Sequence, residues 1–457
     1  KTVRLMGHAG ADIEASYSDV AKIEAVEAQD PLLQTASEIL RHGLLGTEEI
    51  IRVYDEAAQR VERVAEEAFL RPKLETASAV METIIPAPDE TRQLKPASPQ
   101  QRKTMWGKEA TAHAKPQPMA RHINNALADL MLDYPQTLVF GEDVGRKGGV
   151  YSVTTGLQKK FGPARVMDTL LDEQTILGLA IGAAHNGFLP IQEIQFLAYV
   201  HNAEDQIRGE AATLSFFSNG QYTNPMVIRI AGLGYQKGFG GHFHNDNSLT
   251  IFRDIPGVIV ACPSNGPDAA KMLRECVRLA HEEQRVVVFV EPIALYMTAD
   301  LHEEGDKAWL APYASPENSG GIAFGEPNIY GRGTDLCILT YGNGYYLSRK
   351  AAQLLAYKHD LKVRVVDLRW LQPLNEAVIL KQARACNHTL IVDECRETGS
   401  LSEQLMALLV EKKYTKPVAR VTAEDSFIPL GKAATVTLPD VDRIVKAARS
   451  LTKGAGK

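Results

Sequence analysis

Residues 166–199, VMDTLLDEQTILGLAIGAAHNGFLPIQEIQFLAY, constrain the fold more than any other stretch of the chain. Val166 and Met167 close a short apolar run, after which the segment turns. Asp172 stands where a helix N-cap would, with Glu173 in the first turn. From Thr175 to Asn186 the residues are almost all apolar and small, including Ile176, Leu177, Leu179, Ala180, Ile181, Ala183 and Ala184. That pattern predicts a helix buried on most sides, and Gly178 and Gly182 would let another backbone approach it closely. PIQEIQF then reads as a strand that carries Glu193 into its far end, followed by the start of another helix. A carboxylate opening a buried helix is costly, and the helix dipole offsets only part of that cost. Taken alone, Glu173 reads more readily as a solvated first-turn glutamate.

The same alternation runs through the rest of the chain. Residues 119–133 read as a helix, and TLVF at 137–140 as a strand that delivers Glu142 and Asp143 to a loop. After 199 a long helix is expected to about Phe217. Next come the strand MVIRIAG, a Gly-rich loop at 232–247, the strand VIVAC, a helix around 267–280 and the strand VVVFVE. A Pro/Gly-punctuated connection at 306–332 leads to a second α/β unit at 333–457. It begins at DLCILTYG and continues through a helix at 344–358, KVRVVDL, a helix at 375–385, TLIVDE and two more helices. YGNGYY lacks the third glycine of the dinucleotide fingerprint and reads as a plain strand-to-helix turn. Strands alternating with helices predict mostly parallel sheets wrapped on both faces. Ligands gather at the carboxyl ends of strands in such sheets, and Glu142, Glu193 and the loop leading to His244 all follow strands.

The first 118 residues differ in character. Residues 1–20 are polar and loop-like. Around 35–70 the pattern is helical, broken at Gly46 and restarted with Thr47 as an N-cap ahead of Glu48 and Glu49. Residues 86–118 are rich in Pro, Gln, Lys, Thr and Ala, with little apolar periodicity, and read as a linker. At 457 residues the chain has room for about two to four domains of roughly 100–200 residues each. A net charge of −6 and the absence of a Lys/Arg block argue against a nucleic-acid partner. No run reaches the roughly 18 apolar residues of a membrane span. Cys262, Cys276, Cys337, Cys386 and Cys395 form no CxxC pair and read as reduced intracellular thiols.

Several motifs, in one order, resemble the beta subunit of thiamine-diphosphate-dependent 2-oxoacid dehydrogenases. They are GEDVG at 141–145, DTLLDEQ at 168–174, EIQF at 193–196, the segment ending in HFH at 242–244, and FVEP at 289–292. The likeness spans residues 119–457, and EIQF with the tyrosine that follows leans toward the branched-chain member of the family. GHAGAD, DPLL and the helices after them resemble the tail of the partner alpha subunit, with Ala9 where some relatives carry a phosphorylatable serine. The resemblance thus implies a transketolase-like α/β fold: an alpha-subunit tail at 1–85, a linker at 86–118, a pyrimidine-binding domain at 119–305 and a C-terminal assembly domain at 333–457. It implies oxidative decarboxylation of a 2-oxoacid on thiamine diphosphate, with reductive acylation of a lipoyl group on a partner acyltransferase.

The resemblance also carries site residues. Glu173 matches the carboxylate that sets the cofactor's reactive tautomer, a role suited to a buried acid. Glu142, Leu171, Gln195 and Tyr199 match positions around the pyrimidine ring. His244 matches a histidine that attends the acyl-carrying step, and His8 the loop histidine of the alpha part. Asn245, Asp246 and Asn247 stand where relatives often have Ser-Gln, which puts the hydrogen bonds beside His244 in question. The chain has no GDG motif, so Mg²⁺ and the diphosphate are expected on a separate alpha-type half, with no metal ligands here. A second copy of the chain, the alpha-type half and the acyltransferase are the implied partners, in a bacterial-type cytoplasm or a mitochondrial matrix. The chain opens at KTVRLMGH without a methionine, and reads as the second part of an alpha–beta fusion cut near Lys1. A sugar-phosphate enzyme of the same superfamily and a non-catalytic assembly subunit are the rival readings.

Overall fold

The structure, a computed structural model, describes residues 2–234 and 240–453. Lys1, the expected cleavage point, and residues 235–239 of the Gly-rich loop lie outside the described residues. The chain divides into two compact units, Lys1–Ala79 and Val80–Lys457.

In the first unit three helices follow one another: Val20–Glu27, Pro31–Arg41 and Thr47–Leu70. Asp30 caps the second, its Oδ1 accepting from the Leu32 N–H at 2.7 Å, and Pro31 presets the first-turn φ. The sequence puts Thr47 at the cap of the third helix. Gly46 takes that place instead, because Glu49 Oε2 reaches back to the Gly46 N–H at 3.0 Å. No described residue of this unit is buried. Val53, Val61 and Val64 recur at helical spacing on Thr47–Leu70 and all remain exposed.

The second unit holds two sheets. The strands are β1 (Thr137–Gly141), β2 (Val166–Asp168), β3 (Leu189–Ile194), β4 (Met226–Gly232), β5 (Ile259–Ala261) and β6 (Val286–Pro292). After them come β7 (Asn328–Tyr330), β8 (Leu336–Thr340), β9 (Val363–Asp367), β10 (Trp370–Gln372), β11 (His388–Arg396) and β12 (Val418–Ala423). The first sheet runs β10-β5-β6-β4-β3-β1-β2 and the second β12-β11-β8-β9-β7. All pairings are parallel except β10–β5 and β7–β9 at the edges. β3, β4 and β6 are buried along their whole length. That is why β6, and β4 apart from Arg229, read as near-continuous apolar runs rather than as alternating ones. β10 follows β9 in the chain yet joins the first sheet, so the chain passes between the two sheets three times, at β6–β7, β9–β10 and β10–β11.

Four sequence expectations change. First, the helix Glu173–His185 buries Ile176, Leu177, Ala180, Ala183 and Ala184, but Gly178, Leu179 and Gly182 face outward. Among the described residues nothing lies within 4 Å of where a Cβ would stand at Gly178 or Gly182, so no described backbone makes the expected close approach. Second, the single helix to Phe217 is broken into a 3₁₀ turn at Leu197–Asn202, a π turn at Gln206–Ala211 and a short α turn at Leu214–Phe217. Asn224 Nδ2 donates to the carbonyls of Glu210 and Ala211, both at 3.2 Å, taking acceptors that a continuous helix would use. Third, the segment 86–118 contains a helix, Pro99–Trp106, capped by Ser98. Its Arg102 is buried, with Nη1 on Asp129 Oδ1 at 2.9 Å and Nη2 on Asp133 Oδ1 at 2.7 Å. Two carboxylates anchor what composition alone reads as a linker. Fourth, β7, β10 and β12 are strands that the sequence reading does not contain.

Candidate active site

The site grows from the ends of β1 and β3. A Cβ at Gly141 would lie 2.7 Å from the Glu193 carbonyl, so only glycine lets these strands run so close before β1 turns away. Asp143 takes a left-handed φ of 61° with Lys147 Nζ 2.5 Å from its carboxylate. The Gly145 N–H donates to Asp168 Oδ1 at 2.6 Å. Together these bonds hold the GEDVG loop against β2 and leave Glu142 half-buried beside it.

Glu173 is the first residue of its helix and only 4% exposed. Its Oε2 accepts from Asn202 Nδ2 at 3.3 Å. Gln195 and Phe196 form the turn after β3, and Gln195 Nε2 is buried without a hydrogen-bond partner. Tyr199 OH and His244 Nε2 stand 3.3 Å apart. The Phe196 ring packs edge-on against both, with centroids 5.4 Å from Tyr199 and 4.8 Å from His244. Negative charge gathers here. Desolvation, then the charges of Asp143 and Glu173, hold the Glu142 carboxyl above its ordinary pKa. The Tyr199 phenol is likewise pushed up, first by burial and then by Glu142 and Glu173.

Glu142, Glu173, Tyr199 and His244 are therefore brought into one neighbourhood, with Gln195 in the same turn as Phe196. Leu171 lies just before Glu173 and is 67% exposed, presenting an apolar side chain outward rather than packing it into the core. His8 belongs to the first unit, where its N–H donates to Asp12 Oδ2 at 2.6 Å. That bond, followed by the one from Tyr17, holds the Asp12 carboxyl below its usual range and ties the GHAGAD loop together.

The sequence reading misses three residues that build the site. Phe196 is the hub of the aromatic cluster, and Asn202 is the partner of Glu173. The third, Arg229, lies on β4 in register with Glu193. Its Nη1 meets Glu193 Oε2 at 2.8 Å and its Nε meets Glu291 Oε1 at 2.6 Å. An arginine in the middle of MVIRIAG was the available signal: a charge in a fully buried strand needs buried partners. Asn202 gave no such signal.

The arrangement suits a flat, nitrogen-rich ring such as an aminopyrimidine. The unpartnered Gln195 amide offers a donor, Glu173 a buried carboxylate, and Phe196 and Tyr199 an aromatic wall. Among the described residues, no group of three or more His, Cys, Asp and Glu side chains is placed to hold a metal ion. No described helix is long and apolar enough to cross a membrane.

Residues 115–298 match the family described as transketolase, pyrimidine binding domain, and residues 325–444 that described as transketolase, C-terminal domain. The pyruvate dehydrogenase E1 component subunit beta of Staphylococcus aureus strain Mu50 is 35% identical over 339 residues, covering 72% of this chain and 97% of that protein. The same-named subunit of Bacillus subtilis strain 168 is 33% identical over 341 residues, covering 73% and 98%. Among solved structures, one described as a split gene transketolase, inactive beta4 tetramer, superposes with a TM-score of 0.57 at 19% identity. It covers 74% of this chain and 99% of its own, and supports the fold alone. The chain belongs to the transketolase family, among the proteins related to the beta subunits of pyruvate dehydrogenase E1 components.

Proposed function

We propose that this chain is the beta-type part of a thiamine-diphosphate-dependent 2-oxoacid dehydrogenase first component, acting on branched-chain 2-oxoacids. The observation that carries this reading is the convergence of Glu142, Glu173, Gln195, Tyr199 and His244 at the carboxyl ends of neighbouring parallel strands, in a chain of this family. Thiamine diphosphate, when bound, supplies the nucleophilic carbon and the electron sink for decarboxylation. Glu173 fixes the protonation of the pyrimidine ring through a hydrogen bond made strong by burial. Gln195 donates to the same ring, Leu171 and Tyr199 flank it, and Glu142 adds negative charge beside it. His244, and His8 from the alpha-type loop, serve the acyl-transfer step. There the lipoyl S–S bond breaks, one sulfur takes the acyl group and the other takes a proton; the electron pair that reduces the disulfide is the one left when the carboxylate departed as carbon dioxide in the preceding step. Mg²⁺ and the diphosphate are assigned to an alpha-type half, and the lipoyl group to an acyltransferase partner.

The lean toward branched-chain acids rests on EIQF and Tyr199, whereas the named relatives are pyruvate enzymes. The test is a pair of assays on the chain joined to its alpha-type half, with thiamine diphosphate and Mg²⁺. Higher kcat/KM for 3-methyl-2-oxobutanoate than for pyruvate is expected; the reverse order would reassign the substrate. A second expectation concerns the chain alone. With only the pyrimidine end of the site on this chain, calorimetry should find weak binding of thiamine diphosphate that Mg²⁺ barely improves. Tight, Mg²⁺-dependent binding would contradict a divided site.

A further inference from the structure

The segment that carries His244 is held from the other sheet of the second unit. Asp246 and Asn247 are 9% and 1% exposed, which is unusual for polar residues in a Gly-rich loop. Asp246 Oδ1 meets Arg396 Nη2 at 2.9 Å, and Arg396 stands at the end of β11. Asn247 Nδ2 donates to the Glu394 carbonyl at 2.6 Å, and the Asn247 N–H donates to Asp246 Oδ1 at 2.9 Å. The Asp246 carbonyl accepts from the Leu233 N–H at 3.2 Å, which closes the loop on its own entry strand. Leu233 is fixed in turn, its carbonyl accepting from Asn343 Nδ2 at 3.0 Å.

Arg396 is itself well held. Its Nε donates to the Ser426 carbonyl at 3.2 Å, and its guanidinium lies 5.8 Å from the Phe427 ring centroid. Phe427 also stacks near His242, with centroids 5.7 Å apart. Further along, Thr250 Oγ1 and Arg253 Nη1 both donate to the Gly399 carbonyl, at 2.8 and 3.1 Å. The strip 246–253 is thus stapled along 394–399. On the near side, Gly240 takes a φ of 129°, and a Cβ there would lie 1.7 Å from Asn245 Nδ2. Gly240 therefore leaves no room for a side chain, and the strip that follows His244 is fixed to the second sheet.

We infer that Arg396 is a positioning residue for His244, acting through its ion pair with Asp246. The Asn-Asp-Asn run that replaces the family's usual Ser-Gln is the loop side of this clamp, and the second α/β unit has a part in acyl transfer beyond assembly. The pair is charged and bidentate-capable on the arginine side, partly shielded from water, and joined to a backbone that His244 shares. Losing it lets His244 drift from Tyr199 without touching Glu173 or Glu142. This inference rests on the acyl-transfer reading of His244 given above.

The experiment uses the chain joined to its alpha-type half, with free lipoamide as acyl acceptor in one assay and ferricyanide as electron acceptor in the other. Arg396→Gln and Asp246→Asn are each expected to slow acyl transfer by about ten- to a hundredfold, the scale of a small misplacement of a reacting group, with the ferricyanide rate nearly unchanged. Arg396→Lys, which keeps the charge but not the fork, should recover part of the loss. Combining Arg396→Gln with Asp246→Asn should cost no more than either alone, since both break one link. In a His244→Ala background, Arg396→Gln should add nothing. Equal losses in both assays, or additive losses with His244→Ala, would overturn the positioning role. If His244→Ala itself leaves acyl transfer intact, the reading of His244 fails instead. Should Arg396→Gln fail to fold, Asp246→Asn and Arg396→Lys carry the same comparison.

Discussion

Glu173→Gln should abolish most turnover in both assays while leaving fold and assembly intact. The substitution keeps the side-chain volume, and a glutamine Oε1 can still accept from Asn202 Nδ2, which now meets Glu173 Oε2 at 3.3 Å. It also removes a charge from a position only 4% exposed, so the melting temperature should hold or rise slightly. What disappears is the carboxylate proposed above to set the protonation of a bound pyrimidine ring. Loss of a positioned acid–base group costs about 10²–10⁴-fold, and the upper part of that range is expected here because the neighbouring carboxylate, Asp172 at the cap of this helix, is already taken by the Thr175 hydroxyl. Ferricyanide-coupled decarboxylation, read beside circular dichroism and a melting curve, makes the comparison. A folded variant with near-normal decarboxylation would remove Glu173 from the mechanism.

The part of the site that was legible in the sequence was the part written in local pattern. The run from Val166 to Ile194 contains strand, cap, apolar helix and strand in order, and each appears at its expected place. Glu173 was visible because a carboxylate at the mouth of an apolar helix conflicts with its surroundings. Local order also gave Glu142 and Tyr199 their positions after strands. What stayed hidden depends on contacts between distant segments. Arg102 looks like one more charge in a polar stretch until Asp129 and Asp133 are seen to hold it. Asp246 and Asn247 look like loop residues, yet they anchor the His244 segment to β11. The break after Ala211 goes with Asn224, more than ten residues downstream, through its bonds to Glu210 and Ala211. β10 is three residues long and pairs with a strand of the other sheet, so no periodicity could announce it. The outward face of Gly178, Leu179 and Gly182 shows the converse limit. Small apolar residues predicted burial, but pattern cannot tell whether the covering surface belongs to the same chain.

Arg229→Met is expected to have the largest effect on stability. Arg229 is 1% exposed and lies between Glu193 and Glu291, which are 8% and 1% exposed. Glu291 is bound twice by the guanidinium, at 2.6 and 2.9 Å, and once more by Tyr296 OH at 2.5 Å. Two buried carboxylates therefore depend on one cation. Removing one partner of such a group costs about 3–5 kcal/mol, because the remaining charge is left buried and uncompensated. Replacing the whole group by apolar or neutral residues of similar volume can be nearly neutral. Accordingly, the triple variant Glu193→Gln/Arg229→Met/Glu291→Gln should regain much of the stability that Arg229→Met loses. The pH dependence gives a sharper signature. Burial already raises the Glu193 carboxyl above its ordinary value, with Arg229 opposing the rise; without Arg229 it rises further. A carboxyl whose pKa is higher in the folded than in the unfolded chain binds more protons when folded, so stability increases as pH falls. The deficit of Arg229→Met relative to the parent should be full above the raised folded value. It should shrink as pH drops through that value toward the unfolded carboxylate pKa of about 4.3. Melting curves of both proteins from pH 8 down to pH 5 test this. A deficit that stays constant or grows on acidification would mean that Glu193 is not held charged by Arg229.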